Sequence, residues 1–206
     1  MKRACIPTLC VILLAAALTA EAAEIRPDPS FSLTVPDGWE TLQGSVRQAP
    51  ESVRAVIDCA DEDPGEIKIL GWKLAEDGRF HGAYCISYQR RGMGRLREIL
   101  NDPSPDKAKE AGDKLIDSFA SKLNDEYSRK RNMTVSDLSA DLLKADDDVI
   151  MVMDGRVTGS GVQYMRGTVV FLHDDALLNI SSIYDKIAPE TVKRALDAVP
   201  VSLRWQ

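Results

Sequence analysis

The sequence has 206 residues, and 26 basic against 32 acidic side chains leave a formal net charge of −6. That sign disfavours nucleic acid and anionic membrane as partners, because both are themselves negative. The composition is that of a globular chain, long enough for one domain with a full core and free of detectable repeats.

Lys2 and Arg3 precede an apolar run from Val11 to Leu18, and Ala20-Glu21-Ala22 fits the small-x-small rule for signal peptidase. Residues 1–22 are therefore expected to be a cleaved secretory signal, with a mature chain that is periplasmic or secreted. The apolar run falls short of the ~20 residues a permanent spanning helix needs, and charge interrupts every later apolar run, so no transmembrane segment is expected in the mature chain. Cys10 comes before the apolar run, which argues against lipidation. Removal of the segment takes Lys2, Arg3 and Glu21 with it and makes the remainder more acidic.

Cys5 and Cys10 leave with the signal, so Cys59 and Cys85 remain, the number that suggests one disulfide in an oxidising compartment. Geometry argues back. Cys59 ends one predicted strand and Cys85 lies in the second strand after it. In a plain meander those strands stand about 9.6 Å apart, beyond disulfide reach. A Cys59–Cys85 bridge and a pair of buried thiols both stay open.

Residues 23–30 read as an extended lead-in to a single domain over residues 31–206. Phe31 to Val35 alternates apolar and polar as a half-buried strand, Pro36-Asp37-Gly38 turns it, and Trp39 follows as a core anchor. Ser52 to Asp58 reads as a strand, stopped by Asp61-Glu62-Asp63-Pro64-Gly65. Ile67 to Leu74 and Phe80 to Tyr88 form a hairpin through Asp77-Gly78, with Phe80, Tyr84, Ile86 and Tyr88 on one face. Met93, Leu96, Ile99 and Leu100 suit a short helix ending at Asp102-Pro103. A long helix follows, with Ser104 as N-cap and Pro105 at the first helical position. Its apolar stripe runs Ala108, Ala111, Leu115, Phe119, Leu123, Tyr127, and Leu115 and Phe119 are expected to share one buried core with Trp39. Four strands come next: Thr134 to Leu143, Val149 to Thr158, Val162 to Leu172 and Ala176 to Ile183. A last helix from Pro189 turns Val192, Ala195, Leu196 and Val199 inward and stops at Pro200, with Val201, Leu203 and Trp205 packing back. The order predicts an α+β fold, an antiparallel β-sheet flanked by helices.

Phe31-Ser32-Leu33-Thr34-Val35-Pro36-Asp37-Gly38-Trp39 resembles the F-s-l-x-v-P-x-G-W opening of the PsbP/Mog-like α-β-α sandwich superfamily, including its bacterial periplasmic DcrB-like branch. The ending is similar too: the Asp174-Asp175 turn, the strand through Asn179-Ile180-Ser181-Ser182, the helix Glu190 to Val199, and Ser202-Leu203-Arg204-Trp205. The resemblance implies a binding or assembly protein without catalytic activity. Its motifs are packing and turn motifs, and it transfers no functional residue.

The residues supply little chemistry of their own. His81 on a strand and His173 in a turn have no second ligand at metal spacing, and each reads as a surface or satisfied polar residue. Gly159-Ser160-Gly161 lacks the nucleophile-elbow spacing and joins strands, so it reads as a hairpin tip. His81 is about 13 Å along the strand from Cys85, too far to serve it as a base. Asp61-Glu62-Asp63-Pro64-Gly65 and Asp146-Asp147-Asp148 could hold a hard cation, but both read first as solvated turns. No catalytic residue, metal ligand or cofactor is expected.

Arg90, Arg91, Arg95 and Arg97 are the one basic cluster in an acidic chain, suited to carboxylate or phosphate contacts with a partner. The favoured function is an exported, non-catalytic binding or assembly protein of the periplasm or cell envelope, its partner another envelope protein or a small ligand. Two alternatives are a periplasmic hydrolase with a site of dispersed carboxylates and a structural envelope protein.

Overall fold

The lead-in is itself a strand. In the computed structural model β1 (Ala22–Asp28) pairs antiparallel with β2 (Phe31–Pro36). The structure describes residues 22–44, 46–57, 67–90, 92–102, 104–130, 132–145, 148–159 and 161–206. The predicted signal up to Glu21, Cys59, the Asp61-to-Gly65 stretch, Arg91, Asp146, Asp147 and Ser160 lie outside the described residues.

After β3 (Glu40–Gln43) comes α1 (Glu51–Arg54), where the sequence reading expected a strand. Val53, Val56 and Ile57 are spaced three and four apart, a helical period. All three are buried against one core, and the amides of Val53 and Arg54 bond to the Pro50 carbonyl. The hairpin of β4 (Ile67–Leu74) and β5 (Phe80–Gln89) forms as expected, with Gly78 at φ +80° in its turn. A bulge at its mouth pairs Lys73 with Gly82 and Leu74 with Phe80. The extra residue sends Phe80 to the face of Ala83 and Cys85, away from Tyr84, Ile86 and Tyr88.

Next come α2 (Gly94–Leu100) and α3 (Pro105–Asp125). Ser104 occupies the N-cap position of α3, but its side chain makes no capping bond. The strands β6 (Thr134–Ala145), β7 (Asp148–Gly159), β8 (Val162–His173) and β9 (Ala176–Asp185) form an antiparallel meander. The last helix, α4 (Glu190–Val201), runs one residue past Pro200, and β10 (Arg204–Trp205) then pairs with β2.

Two sheets result, ordered β1-β2-β10 and β3-β4-β5-β9-β8-β7-β6, antiparallel at every pairing. The smaller sheet and α4 cover one face of the larger with Phe31, Leu33, Val35, Leu196 and Val199. On the other face α1, α3 and the π-helical turn after it (Glu126–Lys130) bury Val53, Leu123 and Tyr127 against Leu70, Met151 and Met153. The architecture is α+β. Trp39 packs with the first core, Leu115 and Phe119 with the second, and all three are half-buried. The single core expected for them is two cores separated by the sheet. No helix among the described residues is long and apolar enough to cross a membrane.

Candidate functional site

The ends of β1, β5 and β8 meet at one rim of the molecule, and Asp28 anchors it. This carboxylate, 3% exposed, accepts bonds from the Ser30 amide at 2.9 Å and hydroxyl at 2.5 Å, and from Arg90 Nε at 2.6 Å and Nη2. The Ser30 hydroxyl also meets the Tyr88 hydroxyl at 2.8 Å. Burial acts to raise the Asp28 carboxyl, but the Ser30 donors and the Arg90 guanidinium outweigh it and hold the group below the ordinary carboxylate range. The Arg90 side chain stays 60% exposed, so the clamp fixes a guanidinium and still displays it.

A second carboxylate seats α2. Its first residues offer no side-chain cap of their own, and the β8–β9 turn supplies one. Asp175 Oδ1 accepts the Gly92 amide at 3.1 Å and the Gly94 amide at 2.6 Å, and the Asp175 carbonyl accepts the Met93 amide at 3.2 Å. A Cβ on Gly94 would stand 3.1 Å from that Oδ1. Asp174, left-handed at φ 50°, places its carboxylate 3.6 Å from Arg97. Of the predicted cluster, then, Arg90 and Arg97 are tied to carboxylates distant in sequence, Arg95 is exposed on α2, and Arg91 is outside the described residues.

Beside this turn His173 Nδ1 lies 2.6 Å from Asp148 Oδ1, and its ring stacks on Trp205 at 4.3 Å and 9°. Trp205 Nε1 donates to the other Asp148 oxygen at 3.1 Å. Asp148, part of the proposed cation turn, thus spends both oxygens on side chains. A histidine oriented by a carboxylate could serve as a base, but among the described residues no serine, threonine or cysteine hydrogen-bonds to it. Stacked on Trp205, itself edge-on to Phe31 at 5.9 Å, the pair locks β10 to the rim.

A third polar group lies inside, under α3. Arg166, 8% exposed, donates to Thr168 at 2.5 Å and Ser181 at 3.4 Å, and its guanidinium carbon stands 5.9 Å from the centre of the Tyr127 ring. Cys85 sits opposite Ser181 on the adjoining strand and is disulfide-bonded. The meander objection to a Cys59–Cys85 bridge rested on a strand from Ser52, and Glu51–Arg54 is helical instead. Cys59 itself is outside the described residues. Arg166 was invisible as a core residue because, apart from Thr168 on its own strand, its partners come from the next strand and from the turn after α3. Asp28 and Asp148 at strand ends and Asp175 in a turn were missed for the same reason, their long-range partners.

No family model matches the sequence, and no curated protein does. Among solved structures, cyanobacterial PsbP (CyanoP) from Synechocystis sp. PCC 6803 aligns with a TM-score of 0.55 over 92% of this chain and 95% of that one, at 15% identity. The chain has the PsbP fold. Looser likenesses, at TM-scores of 0.37 and 0.35, are to LpqN of Mycobacterium tuberculosis, involved in cell envelope biogenesis, and to the extracellular domain of PknH from the same organism. The first is 12% identical over 90% of this chain and 91% of that one, the second 8% over 93% and 90%.

Proposed function

We propose that this is an exported, non-catalytic binding or assembly protein of the cell envelope, on the PsbP-type scaffold and of the DcrB-like kind, which meets an acidic partner through its arginine rim. The observation that carries the proposal is the Asp28 clamp: a buried carboxylate orients Arg90 while leaving most of its side chain in solvent. An arginine held this way loses less side-chain entropy when a carboxylate or phosphate arrives. Asp175 does the same for α2, presenting Arg95 from a helix start pinned to the sheet. Functional groups on element ends over a rigid frame are the common arrangement in binding proteins.

Envelope extract passed over immobilised wild type and over Arg91→Glu/Arg95→Glu decides the matter. The double variant spares both clamps, so its stability should match wild type while partner recovery falls. Added salt should reproduce the loss, since exposed charge contacts are screened over about 8 Å at physiological ionic strength. Equal recovery by both proteins would leave the arginines as a solvated face.

A further inference from the structure

We propose that the outer edge of β6, with the groove beside it, takes up an extended segment of a partner polypeptide in which apolar residues alternate with lysine or arginine.

β6 is the last strand of the larger sheet, and no described strand pairs with its outer side. The opposite edge, β3, has 4 residues, whereas β6 has 12, regular from Ser139 to Ala145 after a bulge at the left-handed Asp137. Such a row of backbone donors and acceptors is complementary to another extended backbone above all else. Beside it, α3 and β6 leave a groove of about 460 Å³, floored by Ala108, Gly112 and Ile116 from the helix and Ala140 and Leu142 from the strand. Across the groove, helix and strand come closest at Gly112, where a Cβ would stand 3.0 Å from Leu142. The charges at its rim are partly self-paired, Lys109 with Asp113 at 2.8 Å.

On the other face of β6 Leu143 is 49% exposed, and Asp141, two residues before it, shares that face and also borders the groove at the sheet edge. The register Asp141 to Val152 and Ser139 to Asp154 makes Asp141 and Asp154 diagonal neighbours on that face. Burial first, and then Asp141, push the Asp154 carboxyl up, and Asp197 on α4 is pushed up by burial and in part by Asp154. A cation arriving opposite Asp141 would relieve that repulsion. Because a strand's side chains alternate between faces, one added strand meets both demands: apolar residues into the groove, basic residues toward the carboxylates.

The test is a capped peptide of alternating valine and lysine, as long as β6, titrated into the protein and followed by fluorescence anisotropy and amide hydrogen exchange. The expected result is saturable binding with new protection along β6. Asp141→Lys should weaken it by roughly fivefold, one attractive cross-strand pair turned repulsive. Methylating alternate peptide nitrogens should abolish it, a control that leaves the protein untouched. Equal binding by a peptide with its valines and lysines in two blocks, or protection that avoids β6, overturns the proposal. The Arg91→Glu/Arg95→Glu protein should bind this peptide as wild type does, which separates this surface from the rim.

Discussion

The two long helices lie on opposite faces of one sheet, and they are held very differently. On α4 every inward residue of the predicted stripe is buried: Val192, Ala195, Leu196 and Val199. Ser202 at its end accepts the Thr34 amide at 2.8 Å and donates to the Val199 carbonyl at 2.7 Å, tying the helix to β2. On α3 the stripe is buried at Ala108 and Leu123, near the two ends, and at Tyr127 in the turn beyond, while Ala111, Leu115 and Phe119 stay half-exposed. The groove over β6 lies beside the first half of α3, at Ala108, Gly112 and Ile116. An amphipathic pattern thus fixes which face turns inward, and the neighbours decide how far in it goes. β2 and β10 close over α4's side, and no described element closes the β6 edge.

The sharpest test sets one truncation on each helix against the other. Leu196→Ala removes a side chain 1% exposed and should cost about 2–5 kcal/mol. Phe119→Ala removes a larger but half-buried group and should cost only about 1–2 kcal/mol, below the usual range for a buried phenylalanine. Denaturant titration of both variants measures this, and a larger loss at Phe119 than at Leu196 would reverse the contrast.

The same contrast marks what the sequence made legible. The strands Ile67–Leu74, Phe80–Gln89 and the four after Asn132 were readable because their pattern has period two and their turns carry Asp and Gly. The helical spacing of Val53, Val56 and Ile57 was present too, but β-branched residues in a short run imitate a strand. The bulge that turns Phe80 over leaves no local signature, and neither do the pairings of Asp28 with Arg90, or Asp148 with His173 and Trp205. Of the candidate site, the arginines were visible as charges. The carboxylates that clamp two of them were not, because one ends β1 and the other lies in the β8–β9 turn, both far off in the chain.

A smaller effect on the well-closed side comes from Asp28→Asn. The variant keeps the shape but replaces a charged acceptor of three donor groups, and should lose about 1–3 kcal/mol at neutral pH. The group's folded pKa lies below its unfolded value of about 3.9, so its contribution is complete above that value and lost as pH falls through the lowered folded one. The gap between wild type and variant should therefore hold from neutral pH down to about 5 and close below about 4. A gap that persists unchanged into strong acid would show that packing, not charge, holds the rim.

The smallest effect belongs to the open side and has the opposite sign. Asp154 keeps much of its surface in solvent, but partial burial, and then Asp141, raise its carboxyl above the ordinary value. A raised acid binds protons more readily in the folded state, so ionising it works against folding. That cost is present at neutral pH and disappears as pH falls through the raised folded value. Asp154→Asn should therefore stabilise the protein slightly at neutral pH, by no more than about 0.5 kcal/mol given its exposure. The gain should vanish in mild acid, where the wild-type carboxyl carries its own proton. Thermal melts of the two proteins across that pH range read the difference directly. A variant less stable than wild type at neutral pH would mean that Asp154 is already balanced by a cation, and the carboxylates beside β6 would lose their reason to attract one.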